Sequence, residues 1–102
     1  MRMFVMFDLP TETLEDKRNY RRFRKYLITN GYIMFQFSIY TKIILNHSAM
    51  NQHKTKLLKK LPPKGKVDIM LVTEKQFAAI DSIGNDFVSS NPLSKLERLI
   101  EL

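Results

Sequence analysis

A chain of 102 residues that is 44% hydrophobic and contains no cysteine fits one globular domain; it excludes a disordered tail, a disulfide framework and a thiolate zinc site. No apolar run approaches the length of a bilayer span, so we expect a cytoplasmic protein without a membrane partner. The net charge of +7 is uneven: residues 1–60 contribute +8 and residues 61–102 contribute −1, which favours a polyanionic partner.

The first predicted element is a short apolar strand that ends in a carboxylate. Residues Arg2–Asp8 read RMFVMFD, which is typical of a strand buried on both faces, and Pro10 ends it. Asp8 shares a strand face with Phe4 and Met6, at a point where its side chain can leave the sheet for a cleft. On the residues alone, Asp8 either serves such a cleft or simply begins the turn before the next helix.

The second predicted element is a helix. Thr13 and Asp16 have the spacing of a capping box, which marks its start. The helix should run to about Asn30, because Gly31 supplies a left-handed stop. One face of this helix is apolar and is predicted to pack on a sheet; its members are Tyr20, Phe23 and Leu27.

The opposite face of the same helix is basic. Its members are Arg18, Arg21, Arg22 and Lys25, with Lys17 and Arg24 at the margin; the predicted binding residues are the four members and Lys17. Solvated helix faces usually interleave acids that pair with such bases, but no acid occurs between positions 17 and 67. We therefore interpret these residues as a stripe that binds nucleic-acid phosphates, with an ordinary solvated face as the alternative.

Residues 32–45 predict strand structure, because they are rich in β-branched and aromatic side chains. They can form one long bent strand or two strands joined near residues 36–38, where no Gly, Pro or Asn marks a turn. Residues 46–61 predict a second helix with Met50, Leu57, Leu58 and Leu61 at helical spacing. The sequence PPKG at 62–65 ends that helix, and residues 66–73 predict a further strand.

With two strands in residues 32–45, the order is that of a ferredoxin-like α+β sandwich, βαββαβ, with both helices on one face of the sheet. We assign residues 1–80 to this domain, with a short helical turn at 74–80. Residues 81–102 are predicted to form a C-terminal extension. Its last part, 96–102, is either an additional strand that pairs with a partner subunit or a short helix.

Other residues carry weaker signals. His47 and His53 lack the spacing of metal ligands, and Ser38 has no nearby base. Several aromatic residues can in principle stack on bases, but their periodicity favours the core or a dimer interface for most; they are Tyr20, Phe23, Phe35, Phe37 and Tyr40.

The chain resembles the second CRISPR-associated protein family in the order and spacing of several motifs. These are the apolar strand ending in Asp8, the turn at 11–13, "YRRFRKYL" at 20–27, "GYIMFQFSIYTKIIL" at 31–45 and "LVTEKQF" at 71–77. The likeness covers nearly the whole chain and is greatest for type II members.

The resemblance implies a homodimer whose sheets pack face to face, with each C-terminal strand completing the partner's sheet. It implies a protein of antiviral defence that binds duplex DNA and bridges subunits of the CRISPR integrase during spacer acquisition. It also implies a metal-dependent endonuclease that acts on RNA, including single strands, or DNA with magnesium or another divalent cation. The two roles can coexist in one protein.

The resemblance assigns metal binding and catalysis to Asp8. One carboxylate binds magnesium poorly, so a second Asp8 from a two-fold dimer and a substrate phosphate would complete the ligand set. The alternative function is an RNA-recognition-type binding module without catalysis, which shares the βαββαβ order. The lack of any aromatic residue in 66–73 counts against that alternative.

Overall fold

Four strands and three helices make up residues 1–84, the part of the chain that the structure, a computed structural model, describes. The strands are β1 (Arg2–Asp8), β2 (Ile33–Gln36), β3 (Ile39–Ile43) and β4 (Lys66–Val72). The helices are α1 (Leu14–Thr29), α2 (His47–Leu58) and α3 (Glu74–Ala78). The predicted extension lies outside the described residues from position 85 onward, including the alternative of strand or helix for 96–102.

The strands form one antiparallel sheet in the order β2-β3-β1-β4. The apolar strand β1 lies inside the sheet, between β3 and β4, as its nearly continuous run of large side chains requires. The order of elements confirms the prediction of a ferredoxin-like α+β fold.

Residues 32–45 form two strands rather than one. Phe37 and Ser38 make the turn, and Ser38 adopts a left-handed φ of 65°. The carbonyl of Ser38 accepts a hydrogen bond of 3.0 Å from the amide of Phe7, which fixes the turn against β1. Phe37 is 87% exposed, so this ring does not lie in the core.

The predicted limits of α1 are confirmed. The Thr13 hydroxyl accepts a hydrogen bond of 2.9 Å from the Asp16 amide, and the Asp16 carboxylate accepts one of 3.2 Å from the Thr13 amide. This capping box satisfies backbone donors that have no partner within the helix. At the other end, Asn30 is the C-cap and Gly31 has a φ of 86°.

Helices α1 and α2 cover one face of the sheet, which we call the closed face. Its core consists of Met3, Val5, Phe7, Phe23, Leu27, Tyr32, Tyr40, Ile44 and Leu57. Burying a large apolar side chain of this kind contributes about 1.5–3 kcal/mol to the stability of the folded state. Helix α2 ends at Leu58, before the predicted limit at residue 61. It contributes less to the core than predicted, because Leu58 is 56% exposed and Leu61, beyond the helix, is 42% exposed.

The other face of the sheet, which we call the open face, carries no long helix within residues 1–84. One end of it is covered by α3, where the Phe77 ring packs against the rings of Phe4 and Phe35 with centroids 5.9 Å away in each case. Arg2 lies 4.0 Å from the Phe77 ring centroid, and its Nε is 3.1 Å from both carboxylate oxygens of Glu74. These contacts hold α3 on the sheet.

Other parts of the open face expose large apolar side chains. The strand register puts Ile33, Ile43 and Met70 on this side, and they are 67%, 60% and 45% exposed. Within residues 1–84, no helix has the length and apolar character that a membrane crossing would need.

Candidate functional site: a carboxylate recess and a basic helix

Asp8 is the last residue of β1, and strand alternation directs it to the open face, at the end of the sheet away from α3. Its partner in the register of β1 and β4 is Lys66. Two positions earlier along β1, Met6 is paired with Asp68. Directly paired residues share a face, so Asp8, Lys66 and Asp68 all belong to the open face. The sequence prediction did not include Asp68, because only the pairing of β1 with β4 brings it close to Asp8.

A recess of about 310 Å³ lies beside Asp8. Its walls come from β1, the turn between β2 and β3, and β4; they consist of Met6, Phe7, Asp8, Phe37, Ser38, Ile39, Lys66 and Asp68. The recess combines an apolar side with carboxylates and an ammonium group. Such a mixture suits a nucleotide, which has an apolar ring face and an anionic phosphate.

Lys66 and Asp68 form an ion pair at the edge of this recess. The Lys66 Nζ is 3.5 Å from the Asp68 Oδ2, and the two side chains are 77% and 54% exposed. An exposed pair of this type contributes at most about 1 kcal/mol, so the Lys66 ammonium can turn toward an incoming anion at little cost.

The oxygen ligands of the recess suit magnesium only in part. Carboxylates are the donors that this ion takes from proteins, and it usually binds one or two of them and keeps several waters. Within residues 1–84, no three His, Cys, Asp or Glu side chains come together as a metal site. A single chain therefore supplies a partial set, which fits a cation that also takes ligands from water, from a phosphate or from a second chain.

The basic stripe lies on the outer side of α1. All five predicted residues are exposed, and they are Lys17, Arg18, Arg21, Arg22 and Lys25. None of them takes part in the ion pairs found among residues 1–84. The helix packs on the closed face through Phe23 and Leu27, so the structure brings the stripe together as one surface but separates it from Asp8 by the thickness of the sheet.

Arg24, at the margin of the stripe, has a structural contact. Its Nε donates a hydrogen bond of 2.9 Å to the hydroxyl of Tyr40, whose ring lies in the core. This hydrogen bond holds the pKa of Arg24 above its ordinary value. Arg24 therefore ties α1 to β3.

A second basic group lies on the helical side of the molecule and was missed by the sequence analysis. Burial and the neighbouring Lys56 lower the pKa of Lys42, and burial, Lys42 and Lys56 lower the pKa of His53. The Lys42 Nζ donates to the carbonyl of Asn30 and lies 5.3 Å from the Tyr32 ring centroid. These residues come from β3 and α2, so only the folded structure reveals the group.

Comparison with known proteins gives a consistent result. The family model described as "CRISPR associated protein Cas2" matches residues 1–80. A protein of Streptococcus mutans named "CRISPR-associated endoribonuclease Cas2" is 50% identical over 78 residues, which are 76% of this chain and 72% of that protein. A protein of the same name from Treponema denticola is 42% identical over 102 residues, with complete coverage of both chains.

The solved structures support the same architecture. The crystal structure of Streptococcus pyogenes Cas2 at pH 6.5 is similar with a TM-score of 0.63, covering 82% of this chain and all of that one. Sequence identity in this comparison is 18%, so the likeness speaks for the fold alone.

Proposed function

Because the chain belongs to the Cas2 family of CRISPR-associated proteins, we propose that it binds duplex DNA and bridges integrase subunits during spacer acquisition. We further propose that it cleaves phosphodiester bonds of RNA or DNA with magnesium or another divalent cation, in keeping with relatives that are named endoribonucleases. The observation that carries the binding proposal is the exposed basic stripe on α1.

The shape of the stripe supports contact with a nucleic-acid backbone. From residue 18 to residue 25 a helix advances about 10 Å, which is enough for contacts with a few neighbouring phosphates. The stripe residues make no ion pairs among the described residues, so a phosphate would not have to displace a carboxylate from them. Each contact would release counterions and strengthen binding at low salt.

A second copy of the chain is the proposed cover for the open face. Ile33, Ile43 and Met70 expose apolar surface there, and large apolar side chains left in solvent on one face favour an interface. A two-fold axis through this face would juxtapose identical surfaces. It would also give each Asp8 a counterpart from the other copy. The two chains together would then supply more carboxylate ligands for a cation than one chain does.

The proposed cleavage depends on the recess. Asp8 would hold the cation, and Lys66 would bind the phosphate that enters beside it. A divalent cation bound there would polarise the phosphoryl group and lower the pKa of a bound water. The apolar side of the recess, with Phe37 and Ile39, would orient the adjoining nucleotide.

The RNA-recognition alternative has little support. Modules of that kind stack bases on exposed aromatic side chains of the sheet. Phe4 is only 5% exposed because Phe77 lies against it, and β4 contains no aromatic residue.

A crossed comparison of two variants tests the proposal. We expect Asp8→Asn to reduce magnesium-dependent cleavage by a factor on the order of 100 or more, because the cation would lose its anionic ligand, while duplex binding stays near wild type. We expect the double variant Arg18→Glu, Arg22→Glu to weaken duplex binding and to reduce the slope of log K against log salt by about 1.8, at about 0.9 for each lost contact.

The matched control is Lys54→Glu with Lys59→Glu, which changes the net charge equally at two exposed positions, one in α2 and one at its C-cap. Equal losses of binding in both double variants would refute a specific role for the stripe. Wild-type cleavage by Asp8→Asn would refute the catalytic role. Co-purification with the integrase, followed by a spacer-integration assay of Asp8→Asn, tests the bridging role, and we expect normal integration.

A further inference from the structure

We infer that the turn at Pro62–Gly65 positions Asp8, because Gly65 brings the turn's backbone into direct contact with the end of β1. The inference rests on the proposed role of Asp8 and adds Gly65 to the site as a positioning residue. It concerns a residue outside the recess that acts on Asp8 through the main chain.

Gly65 has no room for a side chain. A Cβ built on it would lie 2.7 Å from the carbonyl oxygen of Asp8, 2.6 Å from the Leu9 Cδ2 and 3.1 Å from the Leu9 Cα. The first two separations are shorter than 3.0 Å, so the turn or the end of β1 would have to move to admit a methyl group. Gly65 also has a φ of +99°, a conformation that residues with a side chain rarely adopt.

The position of Gly65 in the sheet explains why the contact affects Asp8. The following residue, Lys66, is the register partner of Asp8, so the glycine lies just beyond the last pair of β1 and β4. No further ladder pair of these two strands follows Asp8 to hold it from that side. A displacement of its carbonyl would therefore rotate the Asp8 backbone and redirect its carboxylate.

The turn is also held from its other side. Pro62 and Lys64 line a cavity of only about 10 Å³ together with Leu9 and with Asp16 and Tyr20 of α1. The fixed φ angles of two consecutive prolines stiffen the turn. Because the turn lies between the end of β1 and the first turns of α1, it has little freedom to move away from an added methyl group.

Gly31 and Gly84 differ from Gly65 in this respect. Gly84 has a φ of +143°, but no atom lies within 4 Å of the position that a methyl group would occupy there. A methyl group at Gly31 would meet only the flexible end of Lys42. Gly84→Ala is thus a matched control, because it places alanine at a positive φ without any contact with Asp8.

The experiment compares Gly65→Ala with Gly84→Ala by NMR, using Mn²⁺ as a paramagnetic probe and no nucleic acid. We expect Gly65→Ala to change the chemical shifts of the Asp8 and Leu9 amides. We also expect it to raise the Mn²⁺ concentration that half-broadens the Asp8 signal by about ten-fold or more, as is typical when a group that orients a metal ligand is lost. Duplex binding through α1 should remain near wild type. Gly84→Ala should leave all of these values unchanged.

A second substitution separates the two contacts. Adding Leu9→Ala to Gly65→Ala removes the contact with the Leu9 side chain and keeps the contact with the Asp8 carbonyl. We expect the double variant to be more stable than Gly65→Ala but to need as much Mn²⁺ as Gly65→Ala does to half-broaden the Asp8 signal. Full recovery of that response would overturn the inference, because the Leu9 contact would then be responsible.

Three further outcomes are decisive. If Gly65→Ala responds to Mn²⁺ as wild type does, the inference is wrong. If Gly65→Ala does not fold, Pro63→Gly loosens the turn without adding atoms and should raise the half-broadening concentration measurably; no change would overturn the inference. If Gly65→Ala shifts the Asp8 signals but Asp8→Asn retains cleavage, the positioning role stands and the proposed catalytic function fails.

Discussion

On the closed face of the sheet, Met3, Val5 and Phe7 of β1 are at most 6% exposed, whereas on the open face the same strand ends in the exposed carboxylate of Asp8. Strand alternation alone separates the two sets of side chains. The closed face is complete within one chain, because α1 and α2 cover it. The open face carries α3 at one end and the recess at the other, and among residues 1–84 it leaves Ile33, Ile43 and Met70 exposed.

We therefore expect the core of the closed face to determine stability, and the open face to determine association between copies and cleavage. Substitutions on the closed face should therefore act mainly on the free energy of unfolding. Substitutions on the open face should act mainly on association and cleavage.

The largest effect on stability is expected from Phe23→Ala. Phe23 is 2% exposed and packs on Phe7 with ring centroids 5.2 Å apart. Its loss should reduce the free energy of unfolding by about 3–5 kcal/mol, measured by urea denaturation. The control Phe37→Ala, at an exposed position next to the recess, should stay within about 0.5 kcal/mol of wild type. Comparable losses in both variants would contradict the division between the faces.

A smaller effect is expected from the pH dependence of Tyr32 on the closed face. Burial, with a contribution from Tyr26, raises the pKa of Tyr32 to about 12. The unfolded chain releases this proton near its ordinary pKa of about 10 and the folded chain keeps it, so stability falls as the pH rises from about 10 to about 12.

Replacing Tyr32 with Phe removes this titration. Between about pH 9 and pH 12, wild type should lose on the order of 2 kcal/mol more stability than Tyr32→Phe, measured by urea denaturation at each pH. If the two proteins lose stability in parallel, Tyr32 does not have the raised pKa.

The smallest effect on stability is expected from Phe77→Leu on the open face. This change keeps an apolar side chain but removes the aromatic contacts with Phe4 and Phe35 and the contact with the Arg2 guanidinium. Such contacts contribute about 0.5–1.5 kcal/mol beyond the buried area. Thermal denaturation should show a correspondingly small decrease in stability. A loss as large as that of Phe23→Ala would mean that contacts on the open face stabilise the fold as much as the core does.

The sequence predicted those parts of the fold that depend on local signals. The capping box of Thr13 and Asp16, the stop at Gly31 and the basic face of α1 all follow from residue types at fixed spacings, which act within one element. The βαββαβ order followed from the succession of such elements.

The parts that the sequence did not predict depend on contacts between elements. The turn at Ser38 contains no glycine that would mark it in the sequence. Its left-handed conformation is held by a contact with another element, the hydrogen bond from the Phe7 amide of β1. Asp68 joins the recess only through the register of β1 and β4. Leu58 and Leu61 have helical spacing, yet helix α2 directs Leu57 alone fully into the core.

We propose that a second copy of the chain covers the open face and brings two Asp8 residues to one site. Sedimentation equilibrium measures this association without relying on any activity. We expect a mass of twice the 12.1 kDa chain for wild type and for Asp8→Asn, and the mass of one chain for Ile43→Glu, which places a charge in the exposed apolar patch. A wild-type protein with the mass of a single chain, even when duplex DNA is present, would contradict the claim.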